Sequence, residues 1–121
     1  MGRGLLEGKS VAVTAAAGAG IGYATALRCA EEGARVAISD IHERRLRKAA
    51  DALAEITGQP VTAQVCNVTN ETEVQSFMDS VIASHGHIDV LINNAGLGGT
   101  SNLVDMDDED WARVIDVTLT G

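Results

Sequence analysis

Three glycines at alternate positions, Gly18, Gly20 and Gly22, punctuate the stretch VTAAAGAGIG that runs from Val13 to Gly22. That spacing suits a turn whose bare backbone amides cradle a phosphate, a small-residue packing face on a membrane helix, or a flexible loop. Twenty residues beyond Gly20 stands Asp40. A carboxylate there can accept hydrogen bonds from both hydroxyls of an adenosine ribose and repels a 2′-phosphate, which favours NAD over NADP. Alone, Asp40 reads equally well as a cap on the next helix, and Arg44 and Arg45 keep a 2′-phosphate within reach. The strict fingerprint G-x-G-x-x-G also fails, because the third glycine would fall on Tyr23.

Other chemistries are disfavoured. The uncharged run from Ser10 to Leu27 is mostly Ala, Gly, Thr and Ser, which gain little in lipid, whereas spanning needs about 20 predominantly apolar residues. Cys29 and Cys66 lie far apart with no His cluster, so they read as small buried hydrophobes in a reducing compartment. The net charge of −8 opposes nucleic acid and anionic membranes as partners. Arg44, Arg45, Arg47 and Lys48 interrupt it as a solvated helix face. Asp105 to Asp110 reads as a helix start, with Asp107 as N-cap and Asp110 in the first turn; a metal site is the lesser alternative. The N-terminus has too few apolar residues for a signal peptide, so a cytoplasmic protein is expected.

These residues need elements to hold them. Ser10–Thr14, Arg35–Ser39, Val61–Cys66 and Asp89–Asn93 are short β-branched runs of the kind buried on both faces of a parallel sheet. Between them, Leu46, Ala49, Ala50, Leu53 and Ile56 recur at helical spacing, as do Val74, Phe77, Met78, Val81 and Ile82. A helix from Ile21 to about Glu32 ends at Gly33, and another carries Trp111, Val114, Ile115 and Leu119 on one face. The order β-α-β-α-β-α-β-α predicts an α/β fold, a Rossmann-type doubly wound parallel sheet, incomplete at about four strands and four helices. Residues 1–121 are expected to form a single domain. The glycines then fall between the first strand and first helix, where dinucleotide folds turn amides toward a pyrophosphate.

In that frame the chain resembles the short-chain dehydrogenase/reductases, whose first half reads V-T-G-x-x-x-G-x-G, Asp, [D/N]-V-T and N-N-A-G. VTAAAGAGIG, Asp40, NVT at 67–69 and NNAG at 93–96 follow in that order. The wording is most similar to a bacterial subgroup linked to catabolism of steroid rings or hydroxyacyl-CoA compounds. The resemblance implies NAD as cofactor. Gly18, Ala19, Gly20, Ile21 and Gly22 would lie under its pyrophosphate, and Asp40 would hold the adenosine ribose. The Asn67 amide oxygen and the Val68 amide would border the adenine, and Asn94, Ala95 and Gly96 would pass beside the nicotinamide ribose. It further implies an alcohol, ketone or acyl-CoA substrate and a homo-oligomer.

The family's reaction is hydride transfer, with a Tyr as acid and base, a Lys that lowers its pKa, and a Ser on the reacting oxygen. Here the one tyrosine is Tyr23, with Leu27 four residues on, and the lysines are Lys9 and Lys48. The pair Tyr-x-x-x-Lys is absent from these residues, and Tyr23 is expected to pack on its helix. Thr118 stands where many members carry a relay asparagine; its hydroxyl can hold water but offers no amide carbonyl. The chain is therefore expected to be the cofactor-binding part of a longer NAD-dependent enzyme, inactive by itself. A stand-alone nucleotide-binding or regulatory module is the alternative. Thr14-Ala15 replaces the family's Thr-Gly with one extra residue in the turn. A left-handed L-residue costs about 1–2 kcal/mol, so the wider turn is expected to keep both Ala15 and Ala16 at negative φ.

Overall fold

The computed structural model describes residues 2–98 and 101–121; Met1, Gly99 and Thr100 lie outside them. Four parallel strands, β1 (Ser10–Val13), β2 (Arg35–Asp40), β3 (Thr62–Val65) and β4 (Val90–Ile92), form one sheet in the order β3-β2-β1-β4. Helices α1 (Ile21–Glu31), α2 (Glu43–Thr57) and α3 (Glu71–His85) connect them. The expected α/β architecture is therefore present, and strand order reverses direction between β1 and β4. Ala12 pairs with Ala37 on one side and Leu91 on the other, which fixes β1 at the centre.

Side chains alternate across this sheet, and the two faces are filled differently. Val11, Val13, Val36 and Ile38 pack against Ala26 and Ala30 of α1 and Leu46, Ala49 and Leu53 of α2. Ala12, Ala37 and Cys66 pack with Phe77 and Val81 of α3. Small residues on the strands leave room for the one phenylalanine, which is fully buried. The helical stripes expected from spacing thus face the core, except that Ile56 and Ile82 at their margins are exposed. Gly33, just past α1, has φ +93°, and a Cβ there would approach Glu7 Cγ to 2.8 Å. Both constraints demand glycine at that turn.

The last segment departs from expectation. A short 3-10 turn (Leu103–Asp105) leads to α4 (Asp108–Ile115), which then widens into a π-turn over Asp116–Thr120. Asp107 caps α4 as expected, its Oδ1 accepting the Asp110 amide at 2.7 Å. Trp111, Ile115 and Leu119 remain exposed, as do Val90 and Leu91 on β4. Among the described residues, the outer edge of β4 has no strand beside it.

At the amino-terminal end of the strands, Ser10 Oγ lies 2.6 Å from Nδ1 of the buried His85. The Ser10 amide donates to Asp89 Oδ2 at 2.8 Å, and this bond holds the Asp89 carboxyl below its usual range. Burial pushes the His85 imidazole below its ordinary pKa, and the neighbouring Arg35 and His87 add to the shift. The fold therefore prefers neutral His85. Its contribution is present above about pH 6.5, the unfolded value, and is lost as pH falls from there toward the depressed folded value. Thermal unfolding from pH 7.5 to 5.5 should show a falling Tm, and His85→Gln should flatten that slope.

Candidate functional site

The carboxyl ends of β1 and β4 are tied by one hydroxyl. Thr14 Oγ1 accepts the amides of Asn94 at 2.9 Å and Ala95 at 3.3 Å, and donates to the Ile92 carbonyl at 3.4 Å. The Thr14 amide donates to that same carbonyl at 3.1 Å. Across the other seam, the Ala16 amide donates to the Ser39 carbonyl at 3.0 Å, and Ala17 donates to Asp40 Oδ2 at 3.1 Å. The turn leaving β1 is thus held to both neighbouring strands within four residues. Sequence spacing gave no sign of this role for Thr14, because a lone threonine after a strand has no distinctive pattern.

Ala15 occupies the left-handed region with φ +52°, which corrects the expectation that the longer turn frees it; Ala16 is not at positive φ. The reason lies in the ties around it. Thr14 is fixed on β4 and Ala16 on β2, and between them the Ala15 carbonyl accepts Asn94 Nδ2 at 3.2 Å. The surrounding bonds over-determine its conformation.

The three glycines have three separate explanations. Gly18 sits at φ +98°, where an L side chain is strained. A Cβ on Gly22 would come to 2.5 Å from both the Ala15 carbonyl oxygen and Asn94 Nδ2, so close packing demands its absence. Gly20 has an ordinary φ of −93° and is the N-cap of α1, with no side-chain cap and no acid in the first turn. A Cβ on Gly20 would meet nothing within 4 Å. Neither backbone conformation nor packing requires glycine here, although glycine is among the residues favoured at an N-cap. The first amides of a helix lack intrahelical acceptors and attract anions. Ala19 and Ile21 flank it exposed.

Beside the turn, a cleft of about 460 Å³ opens between the ends of β2, β3 and β4, lined by Asp40, Asn67, Val68, Ala95 and Gly96 among others. Asp40 is only 8% exposed, and each oxygen takes one backbone amide: Oδ2 from Ala17, Oδ1 from His42 at 3.1 Å. It therefore serves the start of α2 and the glycine turn together, and each oxygen retains acceptor capacity. Asn67 differs from expectation. Its Oδ1 accepts both the Thr69 amide at 3.0 Å and the Thr69 hydroxyl at 2.7 Å, so the oxygen expected to face adenine is turned into its own loop. Among the described residues, no hydrogen bond is found on the Asn67 side-chain nitrogen or the Val68 amide, and both residues line the cleft. Asn94 also does structural work, bridging to Ala15.

Several lining residues carried no sequence signal, among them Cys66, Arg113, Asp116 and Val117. Burial pushes the Cys66 thiol up, with a contribution from Glu73, so the thiol stays protonated and behaves as packing. Thr118 spends its hydroxyl on Leu97, accepting the amide at 3.1 Å and donating to the carbonyl at 3.3 Å. Tyr23 packs against the α1 and α2 core, as expected. Arg45 and Lys48 lie with Gly18 around a separate niche of about 220 Å³.

Comparison with known proteins places this arrangement. A family model described as short chain dehydrogenase matches residues 9–121, and the chain belongs to the short-chain dehydrogenase/reductase family. A relative in Mycobacterium tuberculosis, (5R,7aS)-5-hydroxy-7a-methyl-1-oxo-2,3,5,6,7,7a-hexahydro-1H-indene-carboxyl-CoA reductase, is 54% identical over 119 residues, covering 98% of this chain and 45% of that protein. The crystal structure of a short chain dehydrogenase from Mycobacterium smegmatis, also 54% identical, superposes with a TM-score of 0.93 over 98% of this chain and 49% of its own. NAD+-bound xylitol dehydrogenase superposes at 0.89 with 41% identity, covering 96% and 44% of the two chains. L-Sorbose reductase from Gluconobacter frateurii, complexed with NADPH and L-sorbose, does so at 0.88 with 31% identity over 95% and 43%. The chain spans about half the length of the relatives it matches, and among these relatives both nicotinamide dinucleotides are bound.

The loop geometry makes opposite demands at two small residues. Gly22→Ala should destabilise the fold by about 1–3 kcal/mol, because the clash is with backbone and a bridging amide. Ala15→Gly should stabilise it by up to about 1 kcal/mol, since relief of the left-handed strain exceeds the added chain entropy. Chemical denaturation of the two variants beside the parent checks both signs.

Proposed function

We propose that residues 1–121 form the cofactor-binding part of an NAD-dependent oxidoreductase that transfers hydride between nicotinamide and a secondary alcohol or ketone carbon. The observation that carries this reading is Gly20, which has open space in front of it at the start of α1; Ala15, earlier in the same turn, and Ala95 line a cleft at the point where strand order reverses. In open parallel sheets that point is where ligands bind.

In this reading the amides of Gly18, Ala19, Gly20, Ile21 and Gly22 hold the pyrophosphate, aided by the α1 dipole. Asp40 accepts the hydroxyls of the adenosine ribose with its remaining lone pairs, and its charge disfavours a 2′-phosphate. Val68 and the Asn67 amine border the adenine, and Asn94, Ala95 and Gly96 form the wall beside the second ribose. The dinucleotide, when bound, supplies or accepts the hydride. These residues bind and orient; none is placed to move a proton on a substrate. A Tyr-x-x-x-Lys pair must come from elsewhere in the whole protein, so residues 1–121 alone are inactive.

The M. tuberculosis relative supports a CoA-linked cyclic ketone or alcohol as the substrate class. No helix among the described residues is long and apolar enough to cross a membrane; a cytoplasmic location is part of the same proposal, and exposed apolar surface on β4 and α4 supports a homo-oligomer.

Isothermal titration of the intact protein should give at least about tenfold tighter binding of NAD than of NADP, the difference one charged contact makes; tighter binding of NADP would overturn the role of Asp40. Gly20→Ser should leave the Tm unchanged or slightly higher, since serine is a good N-cap, yet weaken NAD at least about tenfold by filling the phosphate seat. If the intact protein binds NAD but oxidises no alcohol, a binding or regulatory module is the better description.

A further inference from the structure

The π-turn at the end of α4 touches both walls of the cleft. On one side Thr118 Oγ1 grips Leu97 through both its amide and its carbonyl. On the other, Gly121 closes the turn by donating to the Asp116 carbonyl at 2.7 Å, and a Cβ on it would lie 2.8 Å from Val68 Cγ2. Asp116 and Val117 themselves line the cleft. The 93–98 segment has no regular structure of its own. Beyond Asn94 and Ala95, which Thr14 secures, the hydrogen bonds found on it are those from Thr118. Among the described residues, no other hydrogen bond holds residues 96–98. Thr118 reaches Leu97 from within the π-turn, where the backbone departs from 3.6 residues per turn.

We infer that Thr118 is a positioning residue, which sets the spacing of the two cleft walls by clasping the Ala95–Leu97 segment to a turn whose other side rests on Val68. This rests on the cofactor reading of the cleft. It also replaces the expected role of the side chain: the hydroxyl proton is committed to Leu97, so the residue acts on the cleft through backbone geometry and not as a donor to water.

Two readouts on the intact protein separate the clasp from the cofactor. The first needs no nucleotide: hydrogen exchange at the Leu97 amide should quicken in Thr118→Val, which keeps the shape and removes both bonds, and stay slow in Thr118→Ser. The second is the Kd for NAD at a temperature where every variant is folded by circular dichroism. Thr118→Val should weaken NAD about tenfold, the loss expected for one to two hydrogen bonds, with Thr118→Ser within about twofold of the parent. Ser80→Ala removes a comparable hydroxyl, bonded to the Phe77 carbonyl at 2.8 Å within α3. It should lower stability without moving the Kd, which a merely structural role for Thr118 would not reproduce. Unchanged exchange at Leu97 overturns the clasp. Faster exchange with an unchanged Kd for Thr118→Val overturns the positioning role while NAD binding by the parent stands. Failure of the parent to bind NAD overturns the cofactor reading and the positioning role with it, whatever Leu97 shows.

Discussion

The Thr14 hydroxyl is the interaction on which the rest of the molecule depends. It accepts two amides from the loop after β4 and donates to the last residue of that strand, so it joins two strands whose direct pairing is only three residues long. An aliphatic residue of the same shape would leave the part-buried Asn94 and Ala95 amides without partners, at a cost below the roughly 1–3 kcal/mol of a fully buried group for each. With that knot in place, Asn94 can reach Ala15, and Ala15 is forced into the left-handed region. The turn that carries the glycines is then fixed to both neighbouring strands, with Ala15 in the lining of the cleft. Each of these features is a consequence of cross-strand bonding at the end of β1.

Much of this architecture can be read from residue order. β2 and β3 are alternating or continuous apolar runs, and α2 and α3 bury the side chains that their spacing selects, because burial against a sheet is the same physical demand that creates the pattern. What resisted reading depends on contacts far apart in sequence. Ala15 is strained by bonds from residues on β2 and β4, and no local feature of three consecutive alanines distinguishes it from Ala16. The Asn67 oxygen is captured by Thr69, a local turn that is as common as the ligand contact expected of it. Leu119 follows Ile115 at helical spacing, so the sequence continues a regular helix while the backbone widens into a π-turn.

The two faces of the sheet illustrate how few large residues such a core needs. Phe77 fills one face over Ala12 and Ala37, while branched residues from β1 and β2 fill the other against three helical turns of alanine and leucine. A composition with almost no aromatics is sufficient because the helices approach closely over small side chains. The exposed apolar stripe of α4 lies outside this economy. Its residues are patterned as a core face but join neither core cluster among the described residues, and the helix is held through its ends, by Asp107 at the start and Thr118 beyond the close.

Gly20 carries a different kind of information from its neighbours. Gly18 and Gly22 are required by the chain's own conformation and packing, so any protein that folded this way would need them. At Gly20, selection for foldedness alone would drift toward serine, which caps a helix better and meets no obstacle here. In the proposed cofactor reading its identity is an imprint of something outside the polypeptide, and a sequence then records the shape of a partner through an absence of atoms as clearly as through the groups that touch it.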